Sequence, residues 1–336
     1  MPEPVPGPGE VLVRVELCGI CGTDAEEYRD GPVAVAVEPH PLTGTKAPVT
    51  LGHEIVGVVA AHGPGAGAER LPVGTRVIPD VVLGCGACWW CGRHQEGICA
   101  RQAVRGLHLD GGLAAYVLAD ARTCVPVPKG LPVEAAVLAE PTAVAVRALR
   151  KAGDVTGATG LVLGTGAVGL LLTQVAVAAG MRVVASDVLA ARRERAARAG
   201  AVSAEPGELG GVLGSLTGGR GADVVFECAG APGLLREAVR RCRPGGTVVL
   251  VGFGARDAEL PLADVVLNEK HLVGTAAHLW DEDVTTAVRL LAAGVVDPAL
   301  LPLRVASLDE VPGLLAAPDP EIVKTAIRPH DDDKEH

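Results

Sequence analysis

The sequence contains very few aromatic residues, with two Phe, three Trp and two Tyr among 336 positions. Proteins that bind single-stranded nucleic acids stack bases on aromatic side chains, so this scarcity argues against that class. Basic residues are also outnumbered, because 30 Lys and Arg stand against 40 Asp and Glu and give a formal net charge of −10. An attraction of the whole molecule to nucleic acid phosphates is therefore not expected.

Long apolar runs are missing as well. Every apolar stretch is interrupted before the ~18 residues of a membrane-spanning helix, so no membrane span is expected. The chain does not begin with a basic segment followed by an apolar run, so no signal peptide is predicted and a cytoplasmic location is expected. In a reducing compartment, the nine cysteines favour metal binding or catalysis over disulfides.

The chain contains two regions of different texture, as its length suggests. Short β-type runs punctuated by Gly and Pro indicate an irregular, mostly antiparallel β domain; they lie at 11–17, 55–61 and 75–82. Apolar strands that alternate with helical stretches then indicate a doubly wound parallel sheet; they lie at 161–164, 183–187, 223–230 and 247–253. The predicted fold class is α/β, and the polar tail 331–336 is expected to be disordered.

A glycine-rich turn follows the first strand of the second region. Gly164, Gly166 and Gly169 form G-x-G-x-x-G, with Val168 inside the turn and an apolar helix after it. The next strand ends at Asp187. Strand, turn, helix, strand and terminal acid in this order predict a dinucleotide site with the pyrophosphate at the helix N-terminus.

The acidic residue sets the expected cofactor. Asp187 can accept hydrogen bonds from a ribose 2′-hydroxyl and would repel a 2′-phosphate, which predicts NAD over NADP. Arg192 and Arg193 follow closely. They are either groups near the ribose that complicate this choice or part of an ordinary solvated helix face.

Four cysteines lie within one short loop as C-x2-C-x2-C-x7-C, at Cys85, Cys88, Cys91 and Cys99. Four thiolates suit tetrahedral zinc and fill its coordination sphere, so this pattern predicts a structural zinc site. Cys21, His53, Glu54 and Glu140 are dispersed by comparison. Their spacing alone does not predict a metal site, since each could be an ordinary core residue.

These motifs together resemble the zinc-dependent medium-chain alcohol dehydrogenases, from Gly9 to the end of the chain. The resemblance rests on C-G-T-D at 21–24, G-H-E at 52–54, the four-cysteine loop, E-P at 140–141 and G-T-G-A-V-G at 164–169. Residues 28–32 and 40–49 are similar to the 2,3-butanediol dehydrogenase branch, which has sorbitol and threonine dehydrogenases as neighbours.

The resemblance implies a GroES-like β domain over 1–142 that holds two zinc ions, and a Rossmann NAD-binding domain over 143–280. A segment over 281–330 would return to the first domain. Family members carry further residues before the stretch that matches Pro6–Glu10. The opening strands of the β domain are therefore expected to be missing or supplied otherwise, unless the start codon is misassigned.

The resemblance also implies how a catalytic zinc would be held. Cys21, His53 and Glu140 would be its ligands, with Glu54 as an exchangeable ligand or a supporting group behind the ligands. Asp24 would orient the second ring nitrogen of His53. Cys18 has no family role and is expected in the core.

Further residues are implied to act on the substrate and the cofactor. Thr23 would accept the alcohol proton, and Val251, Phe253 and Thr275 would line the nicotinamide. Glu26 occupies a position that commonly holds a proton-relaying His in similar dehydrogenases. It is either a working relay base or a solvated surface acid.

The sequence therefore predicts an NAD-dependent zinc oxidoreductase for a small secondary alcohol, diol or polyol, with two zinc ions per chain. A homodimer or homotetramer is expected, and Trp89 and Trp90 would suit a subunit interface. One alternative is a dehydrogenase of a sugar alcohol, cyclitol or amino-alcohol. Another is a catalytically inactive relative that binds nucleotide as a sensor or assembly subunit.

Overall fold

The computed structural model describes residues 3–254, 258–317, 319 and 322–330. They form two compact units. The first unit contains the residues up to Ala143, then Ala277–Ala293 and the described residues from Pro302 onward. The second unit contains Val144–Ala276 and Gly294–Leu301. The tail predicted to be disordered, 331–336, lies outside the described residues.

The strands, in chain order, are β1 (Glu10–Ile20), β2 (Glu54–His62), β3 (Arg76–Ile78), β4 (Val82–Leu83), β5 (Ala103–Val104), β6 (Tyr116–Asp120), β7 (Val125–Pro126), β8 (Thr159–Leu163), β9 (Arg182–Ser186), β10 (Val202–Ala204), β11 (Ala222–Glu227), β12 (Cys242–Leu250), β13 (His271–Gly274), β14 (Leu303–Ser307) and β15 (Lys324–Arg328). The α-helices are α1 (Gly22–Asp30), α2 (Val133–Ala136), α3 (Ala139–Lys151), α4 (Ala167–Ala178), α5 (Ala190–Arg198), α6 (Leu209–Thr217), α7 (Leu234–Arg241), α8 (Leu262–Leu267), α9 (Thr285–Ala292) and α10 (Val311–Ala316).

The first unit is built on a seven-stranded sheet in the order β14-β15-β1-β2-β3-β7, with β6 also pairing β1. Every pairing in it is antiparallel except β14 with β15. The long strand β1 organises this sheet because it pairs β2 along most of its length, β6 near its start and β15 near its end. Its buried Val and Leu side chains explain why an aromatic-poor chain still forms a core.

The second unit is a six-stranded parallel sheet in the order β10-β9-β8-β11-β12-β13. The order reverses beside β8, as in doubly wound nucleotide-binding folds. All five residues of β8 are buried, which matches a strand covered on both faces. The predicted antiparallel β region and parallel α/β region are thus both present.

Three details differ from the sequence prediction. One is that 277–280, expected in the Rossmann domain, lies with the first unit. The stretch predicted as one strand at 75–82 is divided into β3 and β4, with Pro79, Asp80 and Val81 between them. A proline lacks the N–H that a continuous strand would use, which explains the break. Gly294–Leu301 also lies with the second unit, where the Asp297 N–H donates to Gln174 Oε1 at 2.7 Å and Leu301 is buried.

Among the described residues, no helix combines the length and apolarity needed to cross a membrane.

Candidate active site

The register of the first sheet brings distant residues to one end of three strands. β1 and β2 are antiparallel with Gly19 opposite Glu54. Cys21 comes just after β1 and His53 just before β2. The two residues therefore lie at the same end of this strand pair. Ile20 is opposite Thr325 of β15. This pairing brings Lys324 to the same end of the strands.

A compact group of metal-ligating atoms lies at this end of the strands. One ligand atom each from Cys21, His53 and Glu54 lies within 4.8 Å of the others. His53 and Glu54 are buried, and Cys21 is partly exposed. Gly52 allows the approach, since its φ is +97° and a Cβ there would meet the Cys18 sulfur at 2.7 Å. An L-residue at this position would displace the neighbours of His53.

Asp24 connects the two segments that supply these ligands. Its carboxylate accepts hydrogen bonds from the Cys21 N–H at 2.9 Å and the Gly52 N–H at 3.2 Å. Oδ1 of Asp24 lies 3.5 Å from Nδ1 of His53, so Nε2 is the nitrogen left for a metal. The role of Asp24 implied by the resemblance thus has a geometric basis.

The electrostatics of the cluster favour positive charge. Burial disfavours a charged imidazole, but the Asp24 carboxylate and the Cys21 thiolate outweigh it and raise the pKa of His53 well above its usual value. Oε2 of Glu54 is buried without a hydrogen-bond partner among the described residues. A thiolate, an imidazole and a carboxylate with an unsatisfied oxygen form a set that fits a zinc ion.

Glu54 has a partner that the sequence analysis missed. The Lys324 ammonium ion-pairs with Oε1 of Glu54 and donates to the Ile20 carbonyl at 2.9 Å. Both side chains are buried, with residue exposures of 5% for Lys324 and 1% for Glu54. Burial lowers the pKa of Lys324, but the Glu54 carboxylate outweighs this effect and raises it.

Replacing Lys324 by methionine is expected to destabilise the protein by ~3–5 kcal/mol, because the Glu54 carboxylate would remain buried without its cation. The midpoint of urea unfolding measures this loss. The double variant Lys324→Met with Glu54→Gln is the matched control and should recover most of the loss, since no charge is left uncompensated. An unchanged midpoint for the single variant would show that the pair adds nothing to stability.

Glu140 is placed beside another missed residue. It lies in the first turn of α3, and its Oε1 atom is 3.3 Å from Nε2 of the buried His278. The two atoms lie within ion-pair distance, but the contact lacks the alignment of a hydrogen bond. Glu140 is not part of the three-residue group within 4.8 Å. Its carboxylate and that of Asp80 contribute to the raised pKa of His278, against the opposing effect of burial.

The four cysteines of the loop converge as their spacing predicts. All four sulfurs lie within 4.8 Å of one another, and Cys88 Sγ is 3.5 Å from Cys91 Sγ and 3.6 Å from Cys99 Sγ. Tetrahedral zinc with Zn–S bonds of ~2.3 Å separates its sulfurs by ~3.8 Å. Hydrogen bonding from the Ala87 N–H lowers the pKa of Cys85 to about 6, whereas burial raises the pKa of Cys91 to about 12. The convergence of the four sulfurs is therefore the observation that counts. This loop therefore fits a closed metal site.

The glycine turn has the shape of a phosphate cradle. The ideal Cβ of Gly169 would lie 1.9 Å from the Gly164 carbonyl oxygen, so α4 packs too closely for any side chain there. Among the described residues, a Cβ on Gly166 would meet only Nη1 of Arg192, at 3.8 Å. The turn thus leaves room in front of the α4 N-terminus, where phosphates bind.

Asp187 is anchored beside this turn. Its carboxylate accepts hydrogen bonds from the Thr165 N–H at 2.8 Å and the Leu189 N–H at 3.0 Å. Arg192 lies 3.7 Å from it. Arg193 instead donates to the carbonyls of Asp187 and Val188 and pairs with Glu205, so Arg193 is engaged within the fold.

The remaining predicted site residues have varied surroundings. Thr23 Oγ1 is 3.7 Å from Cys21 Sγ, and Glu26 is partly exposed on α1. The Val251 N–H donates to the Glu227 carbonyl at 2.8 Å. Thr275 has a buried hydroxyl without a hydrogen-bond partner among the described residues, and Phe253 is 74% exposed.

The tryptophans of the cysteine loop lie at the surface. Trp89 is 58% exposed and Trp90 is 37% exposed, and their ring centroids are 4.6 Å apart in a T-shaped arrangement. The Arg93 guanidinium is 3.7 Å from the Trp89 ring centroid. The two rings therefore contact each other and Arg93 of the same loop.

The chain combines a doubly wound sheet and a phosphate-binding turn with two groups of zinc-ligating side chains. This combination is typical of one class of protein, the metal-dependent dehydrogenases. Family models agree, since residues 7–129 match the alcohol dehydrogenase GroES-like domain and residues 167–293 match the zinc-binding dehydrogenase model.

Individual proteins give the same result. The (R,R)-butanediol dehydrogenase of Neisseria gonorrhoeae is 33% identical over 310 residues, which cover 88% of this chain and 85% of that relative. The structure of 2R,3R-butanediol dehydrogenase from Bacillus subtilis has a TM-score of 0.88 at 31% identity and covers 98% of this chain and 95% of its own. A zinc-binding dehydrogenase from Sinorhizobium meliloti, bound to NADP, has a TM-score of 0.87 at 31% identity and covers 98% and 94%.

The chain belongs to the zinc-dependent medium-chain alcohol dehydrogenase family. The resemblance inferred from the sequence motifs, the α/β fold class with its GroES-like and Rossmann parts, and the prediction of an oxidoreductase are thereby confirmed.

Proposed function

We propose that the protein oxidises a small secondary alcohol or diol to the corresponding ketone, with NAD as the hydride acceptor. The cluster of Cys21, His53 and Glu54, oriented by Asp24, is the observation that supports this proposal most directly. The glycine turn and Asp187 support the use of a nicotinamide dinucleotide. The similarity to two butanediol dehydrogenases supports a diol as the substrate class.

In this proposal, Cys21, His53 and Glu140 hold the catalytic zinc, with Glu54 behind them. The metal, when bound, acts as a Lewis acid that lowers the pKa of an alcohol hydroxyl. Thr23 places its hydroxyl beside Cys21 to accept the alcohol proton. Asp24 keeps the His53 ring fixed through Nδ1 and so preserves the orientation of the other nitrogen.

An open, apolar surface pocket in the first unit supports a small, weakly polar substrate. It has a volume of about 310 Å³ and is lined mainly by Pro, Val, Ala and Leu side chains of residues 31–51, with Glu27 at one side. Its last lining residue, Leu51, comes two positions before His53. A polyhydroxylated sugar would find few hydrogen-bond partners on such walls.

The substrate class is tested by measuring NADH formation with 2,3-butanediol, sorbitol, inositol and threonine under identical conditions. The proposal predicts the highest kcat/KM for the butanediol. A higher value for sorbitol or inositol would favour the polyol alternative, and no turnover with any secondary alcohol would favour an inactive nucleotide-binding relative.

We further propose a preference for NAD over NADP, with an expected ~100-fold difference in kcat/KM. A 2′-phosphate would face the Asp187 carboxylate, and such like-charge contacts cost several kcal/mol. Asp187→Ser should reduce the difference, whereas Arg192→Ala is the matched control and should leave NAD the better cofactor. A wild-type enzyme that prefers NADP would contradict the proposal and would implicate Arg192 in binding the phosphate.

A homodimer or homotetramer is also proposed, in a reducing cytoplasm that keeps the cysteines free. β13 lies at the edge of the second sheet, and exposed edge strands readily pair with another chain. The neighbouring helix α8 exposes Val266 and Leu267 by 63% and 82%. Light scattering should give at least twice the chain mass, and Leu267→Lys should shift the protein towards the monomer. A monomeric wild type would contradict this proposal.

A further inference from the structure

Asp80, His278 and Glu140 are three buried titratable side chains that lie in a row beside the candidate metal cluster. His278 is 2% exposed, with Nε2 3.3 Å from Oε1 of Glu140 and Nδ1 3.7 Å from Oδ1 of Asp80. Glu140 and Asp80 are each 8% exposed. Neither ring nitrogen of His278 makes a hydrogen bond within the described residues, so the two carboxylates offset the cost of its burial by charge alone. Neither His278 nor Asp80 has a role in the proposed reaction.

The backbone holds both outer members of this arrangement in place. Glu140 lies in the first turn of α3, whose helical backbone fixes the start of the side chain. Asp80 follows β3, and its Oδ1 accepts a hydrogen bond from the Val82 N–H at 3.2 Å. His278 is thus placed between two carboxylates that are attached to separate parts of the first unit.

The segment that presents His278 has unusual backbone geometry. Ala277, the residue before it, has a φ of +52°, a left-handed conformation that is rare for residues other than glycine. A π-helical turn, Trp280–Val284, follows directly, and the buried Asp283 accepts a hydrogen bond from the Leu279 N–H at 2.9 Å. Such strained backbone persists where the surrounding structure requires a particular side-chain position.

We propose that His278 is a positioning residue for the catalytic zinc: it holds Oε1 of Glu140 so that the other carboxylate oxygen is directed to the metal, and Asp80 fixes its ring. The inference rests on the proposed function, in which Glu140 is a zinc ligand. His278 would orient the Glu140 carboxylate in the same way that Asp24 orients the His53 ring. Groups behind metal ligands typically account for ~10–100-fold in metal affinity.

Zinc release from the purified holoenzyme to a chelator tests this role. In His278→Ala, the catalytic zinc should be lost ~10–100-fold faster, while the four-cysteine zinc is the internal reference and should leave at the wild-type rate. His278→Gln retains a polar side chain and should recover part of the loss. Asp80→Asn should speed release when His278 is present and have no effect when it is absent, because the two act in series.

A histidine outside the cluster provides the control. His62 contacts the Leu71 carbonyl through Nε2 at 2.6 Å, so His62→Gln should change stability without changing zinc release. If His278→Ala fails to fold, His278→Gln and Asp80→Asn give the same test with milder changes.

Two results would overturn the inference. A wild-type release rate in the His278 variants, together with a lowered melting temperature, would make the residue purely structural. Absence of the catalytic zinc from His278→Ala and its retention in Glu140→Ala would make His278 the ligand itself. By contrast, a wild-type chain that binds only one zinc would already contradict the proposed function, before any variant is made.

Discussion

Replacing Cys91 by serine is expected to lower the melting temperature by ~10 °C or more and to release one of two zinc ions per chain. Structural zinc sites contribute ~10–16 kcal/mol in zinc-finger peptides, and the loss of about a third of that would shift a protein of this size by this amount. The sulfur of Cys91 lies 3.5 Å from that of Cys88, so one substitution opens the whole cluster. Calorimetry and metal analysis of the purified variant measure both effects.

A matched control separates loss of the zinc from loss of a thiol. Cys124 is fully buried and belongs to neither metal-ligating group. Cys124→Ala should keep both zinc ions and lose only the modest stability of a small core truncation. If Cys91→Ser melted like the wild type but no longer turned over substrate, the four-cysteine site would be catalytic and the assignment would be wrong.

The second large effect is expected at Cys21. Cys21→Ala should lower kcat/KM by ~10³-fold or more, because a Lewis acid supplies several kcal/mol of stabilisation in the transition state. The variant should retain one zinc per chain and nearly the wild-type melting temperature, since the four-cysteine loop is unchanged. Metal analysis, calorimetry and NADH formation on the same sample give the three values.

The two cysteine variants should therefore have opposite profiles, with stability lost at Cys91 and activity lost at Cys21. Cys124→Ala again is the control and should keep both. A Cys21→Ala enzyme that oxidises its alcohol at the wild-type rate would remove the cluster of Cys21, His53 and Glu54 from the mechanism.

The parts of the site that could be predicted from the residues are those formed by neighbouring positions in the chain. The four cysteines fall between residues 85 and 99, and their sulfurs meet within one loop. The glycine turn is also local, because strand, turn and helix follow one another at Leu163, Gly164 and Ala167. Spacing alone is informative for such motifs, since few conformations are compatible with it.

The dispersed cluster could be anticipated only by resemblance. Cys21 and His53 meet because β1 and β2 pair antiparallel with Gly19 opposite Glu54, and the sequence does not reveal that register. No motif in the sequence indicates that Lys324 is the partner of Glu54. Lys324 is 270 residues away and arrives on β15, which pairs the end of β1.

His278 was missed for a related reason. It follows the last strand of the second unit, yet it contacts Glu140 and Asp80 within the first unit. Its position depends on where the chain crosses from one unit to the other. A single histidine in a mixed segment carries no pattern that would indicate this crossing.

The most direct test of the central claim is to measure NADH formation with 2,3-butanediol and zinc content on one preparation during gradual metal removal. Two zinc ions per chain are expected at the start, and activity should fall in proportion to the first zinc lost while the melting temperature is retained. Adding zinc back to the metal-depleted protein should restore turnover. Unchanged NADH formation after loss of the catalytic zinc, or two bound zinc ions without any turnover of a secondary alcohol, would contradict the account.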